Sequence, residues 1–187
     1  MQLKIFFYIN YHKPKHVKII MTKSEDGLKS AFAGESQANR KYLAFAKKAE
    51  QEGLPGVAKL FQAAAAAETV HAHNHLRVLG GIKTTAENLK EAIGGEFYEF
   101  TTMYPEFIDN AKTEGNSNAE RTFKYANDVE KIHHELYKKA LELVENGKDL
   151  EVQEMYVCSV CGYTHEGEPP ETCPVCKSPK KVFNKIE

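Results

Sequence analysis

Tryptophan is absent from the 187 residues, and the four cysteines are confined to positions 158–176. A disulfide framework spreads its cysteines through a small secreted domain, so this clustering excludes that reading and points to a metal site. No apolar run approaches the roughly 20 residues that a membrane helix needs, so a helical membrane protein is not expected. Excess charge of one sign is lacking too. The formal net charge is −1, so no basic surface advertises nucleic acid or an anionic membrane as a partner. No G-x-G-x-x-G stretch occurs, and NAD(P)H binding by that fingerprint is excluded. What remains is 42% hydrophobic and 27% charged residues, the balance of a soluble globular protein, expected in the cytoplasm. The length suits one ordinary domain with a small one appended.

Residues 1–21 stand apart. MQLKIFFYINYHKPKHVKII is basic with one apolar burst from Ile5 to Ile9, shorter than a signal-peptide core and followed by no small-residue cleavage site. It reads as a dispensable, poorly packed extension, with Met21 opening what looks like a natural start.

Four long segments carry helical period with few breakers. They cover about residues 24–52, 57–79, 84–114 and 119–146, separated by Gly53-Leu54-Pro55-Gly56, Gly80-Gly81 and Gly115-Asn116-Ser117-Asn118. Thr84-Thr85-Ala86-Glu87 has a capping-box pattern, and Gly147 is placed to close the last helix. Four such helices with short turns predict an all-α bundle spanning residues 22–150. Residues 80–95 fit either a plain turn or a crossover carrying a short helix.

The bundle repeats itself. At an offset of 62, Tyr42, Phe45, Ala49, Glu52-Gly53, Phe61, Glu68 and His71 match Tyr104, Phe107, Ala111, Glu114-Gly115, Phe123, Glu130 and His133. Two copies of one helical hairpin are implied, related by a pseudo-twofold axis. Gly34-Glu35, however, matches Gly95-Glu96 at an offset of 61. One residue more inside a helix is commonly absorbed as a π-bulge, so a bulge is expected between Glu96 and Tyr104, with Pro105 adding local strain.

Glu68 with His71, and Glu130 with His133, are Glu-x-x-His pairs whose members share one helix face. Glu35 and Glu96 sit at matching heights on the other two helices. A Glu from two helices and Glu-x-x-His from two others is the dinuclear carboxylate pattern of ferritin-like bundles, suited to iron or manganese. A single Glu-x-x-His would be an ordinary solvated pair; two at equivalent repeat positions are not. Burying these carboxylates together with Glu99 without cations would cost more than the whole fold's stability. Glu99 exceeds the minimal set, and an exchange of Glu99 for His71 as the metal changes charge is expected. His73, His75 and His134 are expected to face outward or to support the ligands. The His71–His75 pair lacks the Glu directly after the first His that a zinc protease needs, since Ala72 stands there. Tyr42 and Tyr104 fit core aromatics and hydrogen-bonding supports of the site equally well.

After Gly147, Cys158-x-x-Cys161 and Cys173-x-x-Cys176 make two knuckles separated by eleven residues, a tetrahedral thiolate site for iron or zinc. Gly162 leaves room for backbone N–H groups near the sulfurs, and Tyr156, Tyr163 and Phe183 can form a small shield. Residues 151–187 have too little core to fold unaided, so the metal is also their staple.

Ala33-Gly-Glu-Ser-Gln37, Glu68-Thr-Val-His71, Gly95-Glu96 with Glu99, Met103-Tyr104-Pro-Glu-Phe107, Glu130 with His133, and the two knuckles, in that order, make residues 22–187 resemble the rubrerythrin family. The resemblance implies a ferritin-like bundle with a di-iron centre and a rubredoxin-like tail with mononuclear iron. It also implies reduction of hydrogen peroxide to water as protection against oxidative stress. By motif position its di-iron ligands are Glu35, Glu68, His71, Glu96, Glu99, Glu130 and His133. The family implies homodimers or larger assemblies, with one subunit's tail serving another's centre and hairpins exchanged in some members. External rubredoxin or a separate NAD(P)H-dependent reductase would supply electrons. The competing readings are a ferroxidase or iron-storage bundle of bacterioferritin type, and a zinc-ribbon interaction module fused to an inert bundle.

Overall fold

The computed structural model describes residues 22–151 and 154–187; the extension expected at residues 1–21 lies outside them. Five α-helices come first: α1 Lys23–Gln51, α2 Pro55–Val78, α3 Thr85–Tyr98, α4 Tyr104–Thr113 and α5 Ser117–Glu145. Three short strands follow, β1 Met155–Cys158, β2 Thr164–Glu166 and β3 Phe183–Lys185. They form one antiparallel sheet in the order β2-β1-β3. The chain divides into two compact units, the first ending at Gly81 and the second beginning at Ile82.

The first unit is the α1–α2 hairpin. Thr22 caps α1 with a complete capping box: its side chain accepts from the Glu25 N–H, and the Glu25 carboxylate accepts from the Thr22 N–H at 2.7 Å. Alanine makes the seam. Ala46, Ala49, Ala58, Ala65 and Ala72 are all buried, and their small side chains let the two backbones approach closely. Asn39 is buried in the same seam and spends both amide hydrogens there, on the Ala65 carbonyl at 2.7 Å and the Thr69 hydroxyl at 2.8 Å.

The second unit holds the repeat copy and the tail. Between α3 and α4 the chain takes one π-helical turn, Glu99–Met103, closed by the Tyr104 N–H on the Glu99 carbonyl. This is the bulge that the slip in offset predicts. Pro105 follows at the start of α4, where its missing N–H costs little. Helix α3 begins at Thr85 behind a capping box formed by Thr84 and Glu87, so residues 80–84 are a plain turn without a helix of their own.

The repeat is visible in three dimensions. Tyr42, Phe45 and Phe61 form a ring cluster with centroids 5.6–6.4 Å apart. Tyr104, Phe107 and Phe123 form the same cluster at 5.5–6.3 Å. The hairpin turns also close identically. Gly53 and Gly115 take φ of 74° and 68°, which lets the Leu54 N–H reach the Ala49 carbonyl and the Asn116 N–H reach that of Ala111, both at 2.9 Å. Gly147 follows α5 in the expected closing position, with the Lys148 N–H on the Leu143 carbonyl.

Candidate metal centres

Each helical hairpin carries one carboxylate–histidine triad, and the two triads are built alike. In the first, α1 supplies Glu35 while α2 supplies Glu68 and His71, with ligand atoms within 4.8 Å of one another. In the second, Glu96 comes from α3 while Glu130 and His133 come from α5, within the same distance. The three-residue spacing stacks each Glu over its His. Nδ1 of His71 lies 2.8 Å from Oε2 of Glu68, and Nδ1 of His133 lies 2.8 Å from Oε2 of Glu130. Glu96 adds a second carboxylate 3.8 Å from the His133 Nδ1.

In the second triad the charges strain against one another. Burial, and then the adjacent Glu130 charge, push the Glu96 carboxyl up to about 7 against the pull of His133. Glu99, at the head of the π turn, is raised by burial and by Glu130, although it stands outside the close triad. The His133 imidazole is raised chiefly by its hydrogen bond to Glu130, against the effect of burial. Hard oxygens and an imidazole nitrogen, held together with surplus negative charge, are a donor set for iron or manganese. A cation would relieve what now raises Glu96.

Tyr104 lies in the neighbourhood of this triad. Burial and the charges of Glu130, Glu99 and Glu96 raise the Tyr104 hydroxyl, placing Tyr104 in the field of the carboxylates. Tyr42 packs in the equivalent aromatic cluster of the first hairpin. Sequence reasoning passed over Tyr137, whose hydroxyl is raised by burial and by Glu96 and Glu130, and whose ring lies 6.5 Å from that of His133. Its place four residues after His133 was the available signal. His134 does not face outward: its Nδ1 meets the Ile93 carbonyl at 3.1 Å, and its ring packs on Phe97 and Phe100. His73 is exposed on α2.

The tail gathers all four cysteines into one cluster. Cys158 and Cys173 are fully enclosed, and the Cys158–Cys176 and Cys161–Cys173 sulfur pairs are each 3.6 Å apart. Four thiolates about 2.3 Å from one metal ion stand at tetrahedral edges of about 3.8 Å, so the cluster has the size the ion requires. Burial raises the Cys161 and Cys173 thiols, while backbone N–H groups of Tyr163 and of Val175 and Cys176 act the other way. Burial pushes on Cys176 as well, yet Ser178 lowers it to about 6 through its hydroxyl and N–H. The rings of Tyr163 and Phe183 meet edge to face at 6.1 Å, the expected shield. Tyr156 instead turns its hydroxyl to Glu154.

Two like triads on helical hairpins and a thiolate knuckle on a small sheet define a ferritin-like iron protein with a rubredoxin-like domain. Residues 26–141 match the family model "Rubrerythrin", and residues 156–184 match "Rubrerythrin, rubredoxin-like domain". The chain belongs to the rubrerythrin family, a family of oxidoreductases in which the first domain carries a di-iron site and the second a single metal. Among relatives, it is 38% identical to Rubrerythrin-2 of Clostridium acetobutylicum over 181 residues, 89% of this chain and 97% of that one. It is 35% identical to nigerythrin of Nitratidesulfovibrio vulgaris over 188 residues, 93% of this chain and 92% of that one. The solved structure of fully reduced, all-ferrous nigerythrin aligns over the whole of both chains with a TM-score of 0.53 and 32% identity. Among the described residues no helix is long and apolar enough to cross a membrane.

Proposed function

We propose that this protein reduces hydrogen peroxide to water at a di-iron centre in a ferritin-like domain of residues 22–150, with electrons relayed through the four-cysteine iron of residues 151–187. The observation that carries this reading is the identity of the two triads, His71 on Glu68 and His133 on Glu130 at 2.8 Å each, in a chain that also builds a four-sulfur cluster. Glu35, Glu68 and His71 would hold one iron and Glu96, Glu130 and His133 the other, with Glu99 a further carboxylate available to the centre. Cys158, Cys161, Cys173 and Cys176 would hold the third. Bound ferrous iron supplies the two electrons that peroxide cleavage consumes, and a dinuclear site stabilises both departing oxygens.

The chain's own groups supply the rest. Tyr104, whose hydroxyl keeps its proton well above neutral pH, stands beside the carboxylates as a proton donor. Glu96 and Glu99, both raised, can hold a proton close to the reacting oxygens. An external rubredoxin or an NAD(P)H-dependent reductase in a reducing cytoplasm would recharge the tail iron. Apolar side chains left open on the hairpins, among them Leu60 on α2 and Phe97 on α3, fit burial between copies in a homodimer or larger assembly.

The test is anaerobic purification with metal counting and a visible spectrum, followed by reductant and then peroxide. Three irons per chain, with the tail iron bleached by reductant and its colour restored by peroxide within the reaction's turnover, is the expected result. Zinc in the tail from iron-replete cells, or a hollow multi-subunit shell that accumulates iron, would defeat the proposal.

A further inference from the structure

The two hairpins agree in their triads and their aromatic clusters, but they differ at one place in the repeat. In the second unit Phe97, Phe100 and His134 close on one another, with ring centroids 5.4–5.8 Å apart. The offsets that pair Glu35 with Glu96 and His71 with His133 put Ser36, Asn39 and Ala72 at those three places in the first hairpin. Where three rings fill space, two short polar side chains and a methyl group leave it open. The result is a cavity of about 220 Å³ between α1 and α2, which Arg40 and His73 also line. No carboxylate lines it, and none of these side chains belongs to the Glu35–Glu68–His71 triad.

The polar groups of the cavity are short of one hydrogen. Asn39 is 7% exposed, and its Nδ2 gives both hydrogens away, to the Ala65 carbonyl and the Thr69 hydroxyl. A carbonyl can only accept, so the amide cannot be turned over, and Oδ1 is left without a donor. Buried acceptors are ordinarily satisfied. Neither nearby hydroxyl can serve, because Thr69 donates to the Ala65 carbonyl at 3.1 Å and Ser36 to the Phe32 carbonyl at 2.6 Å. Arg40 and His73 are exposed, and among the described residues neither has a hydrogen bond or an ion pair. The cavity thus offers unused donors on two exposed side chains and an unused acceptor at its most buried one.

We propose that this cavity binds hydrogen phosphate, a tetrahedral oxyanion that carries its own hydrogen. The Arg40 guanidinium, whose planar fork suits two phosphate oxygens, and an N–H of His73 donate to the charged oxygens. The phosphate O–H donates to Oδ1 of Asn39, and the Ser36 oxygen is a second acceptor. The site does not depend on the metal reading. Its selectivity follows from the hydrogen: sulfate has the same shape but keeps no hydrogen at neutral pH, so it would set an oxygen lone pair against the Asn39 oxygen. A site built to pair with a hydroxyl rejects the analogue that lacks it.

Calorimetric titration of the full, metal-loaded chain with inorganic phosphate should show a site that sulfate, at equal ionic strength, fills at least tenfold more weakly. Arg40→Gln, a change at an exposed helix position, should weaken phosphate binding at least tenfold and leave the visible colour of the four-cysteine iron unchanged. Phosphate binding that Arg40→Gln does not alter would put the ion on a metal centre and overturn the proposal. Equal affinity for sulfate would overturn the part given to Asn39. If phosphate does not bind at all, water alone meets the Asn39 oxygen and the proposal fails.

Discussion

Glu96 shows what a cluster of carboxylates costs when no cation neutralises it. Its carboxyl is raised to about 7 because it is part-buried beside Glu130, whereas the same group in an unfolded chain titrates near about 4.3. A carboxyl raised on folding favours the folded state at pH values below the unfolded value, and that contribution is lost as the pH climbs through about 7. Chelated protein should therefore weaken between mildly acidic and neutral pH. Glu96→Gln should flatten this slope. Thermal melts of chelated samples should show the variant melting a few degrees above the wild type at pH 8, since each kcal/mol moves a chain of this size by about 2–4 °C. At pH 4 the two should coincide. With iron present the order should reverse, because the variant has lost a ligand. A chelated variant that melts below the wild type at pH 8 would mean that Glu96 is held by something other than the surplus charge described.

At the scale of the element, the first hairpin depends on the size of its seam residues. Ala65 is 1% exposed, and its carbonyl accepts the Asn39 amide. Ala65→Leu would force α1 and α2 apart and cost about 1–3 kcal/mol, the usual penalty of overpacking. Denaturant unfolding followed by circular dichroism reads this directly, and Ala66→Leu at the neighbouring exposed position is the control expected to change little. Helix α3 tests the other local device. Thr84→Ala removes the hydroxyl that accepts the Glu87 N–H, at a cost of about 1 kcal/mol. The Glu87 carboxyl is lowered by its hydrogen bonds to the Thr84 side chain and backbone, so the cap should be complete at neutral pH and fail as the pH falls through that lowered value. Amide exchange of residues 85–88 at pH 7 and pH 3 would show it.

These elements were legible in the sequence to different degrees, for physical reasons. The duplicated hairpin could be read because Tyr42, Phe45 and Phe61 and their counterparts must occupy equal places in equal packing. The π turn could be read because a helix has no other inexpensive way to absorb one residue between Glu96 and Tyr104. The segment after Gly80-Gly81 stayed open, since a glycine stop and a threonine cap permit a short turn and a longer crossover alike. The inward place of His134 could not be read, because its partner, the Ile93 carbonyl, is 41 residues away. The contact of Thr164 with His133 was invisible for the same reason: the two lie 31 residues apart, and the contact is set by how β2 lies on α5. Pattern along a helix announces ligands, whereas their supports are fixed by tertiary contact.

For the whole molecule, the apolar surface that the chain leaves open is the feature with the widest consequence. Leu60 is 69% exposed on α2, and Val70, Val78, Phe97 and Tyr98 are more than half exposed. Single exposed apolar residues are ordinary on any soluble protein. Two long helices that each present several, in a family whose members are expected to assemble, are better explained by faces covered in a homo-oligomer. Burying them removes the penalty of wetting at about 25 cal/mol per Å² of apolar surface, and a stable pair of copies needs on the order of 1,200–2,000 Å² in all. The measurement is the mass in solution by light scattering, for the wild type and for Leu60→Lys combined with Val70→Lys. The wild type should run as a dimer or larger. The double variant should dissociate while keeping the helical content of its hairpins and the visible colour of its four-cysteine iron. A wild type that remains monomeric at concentrations well above the micromolar range would show that these side chains serve something other than a second copy of the chain.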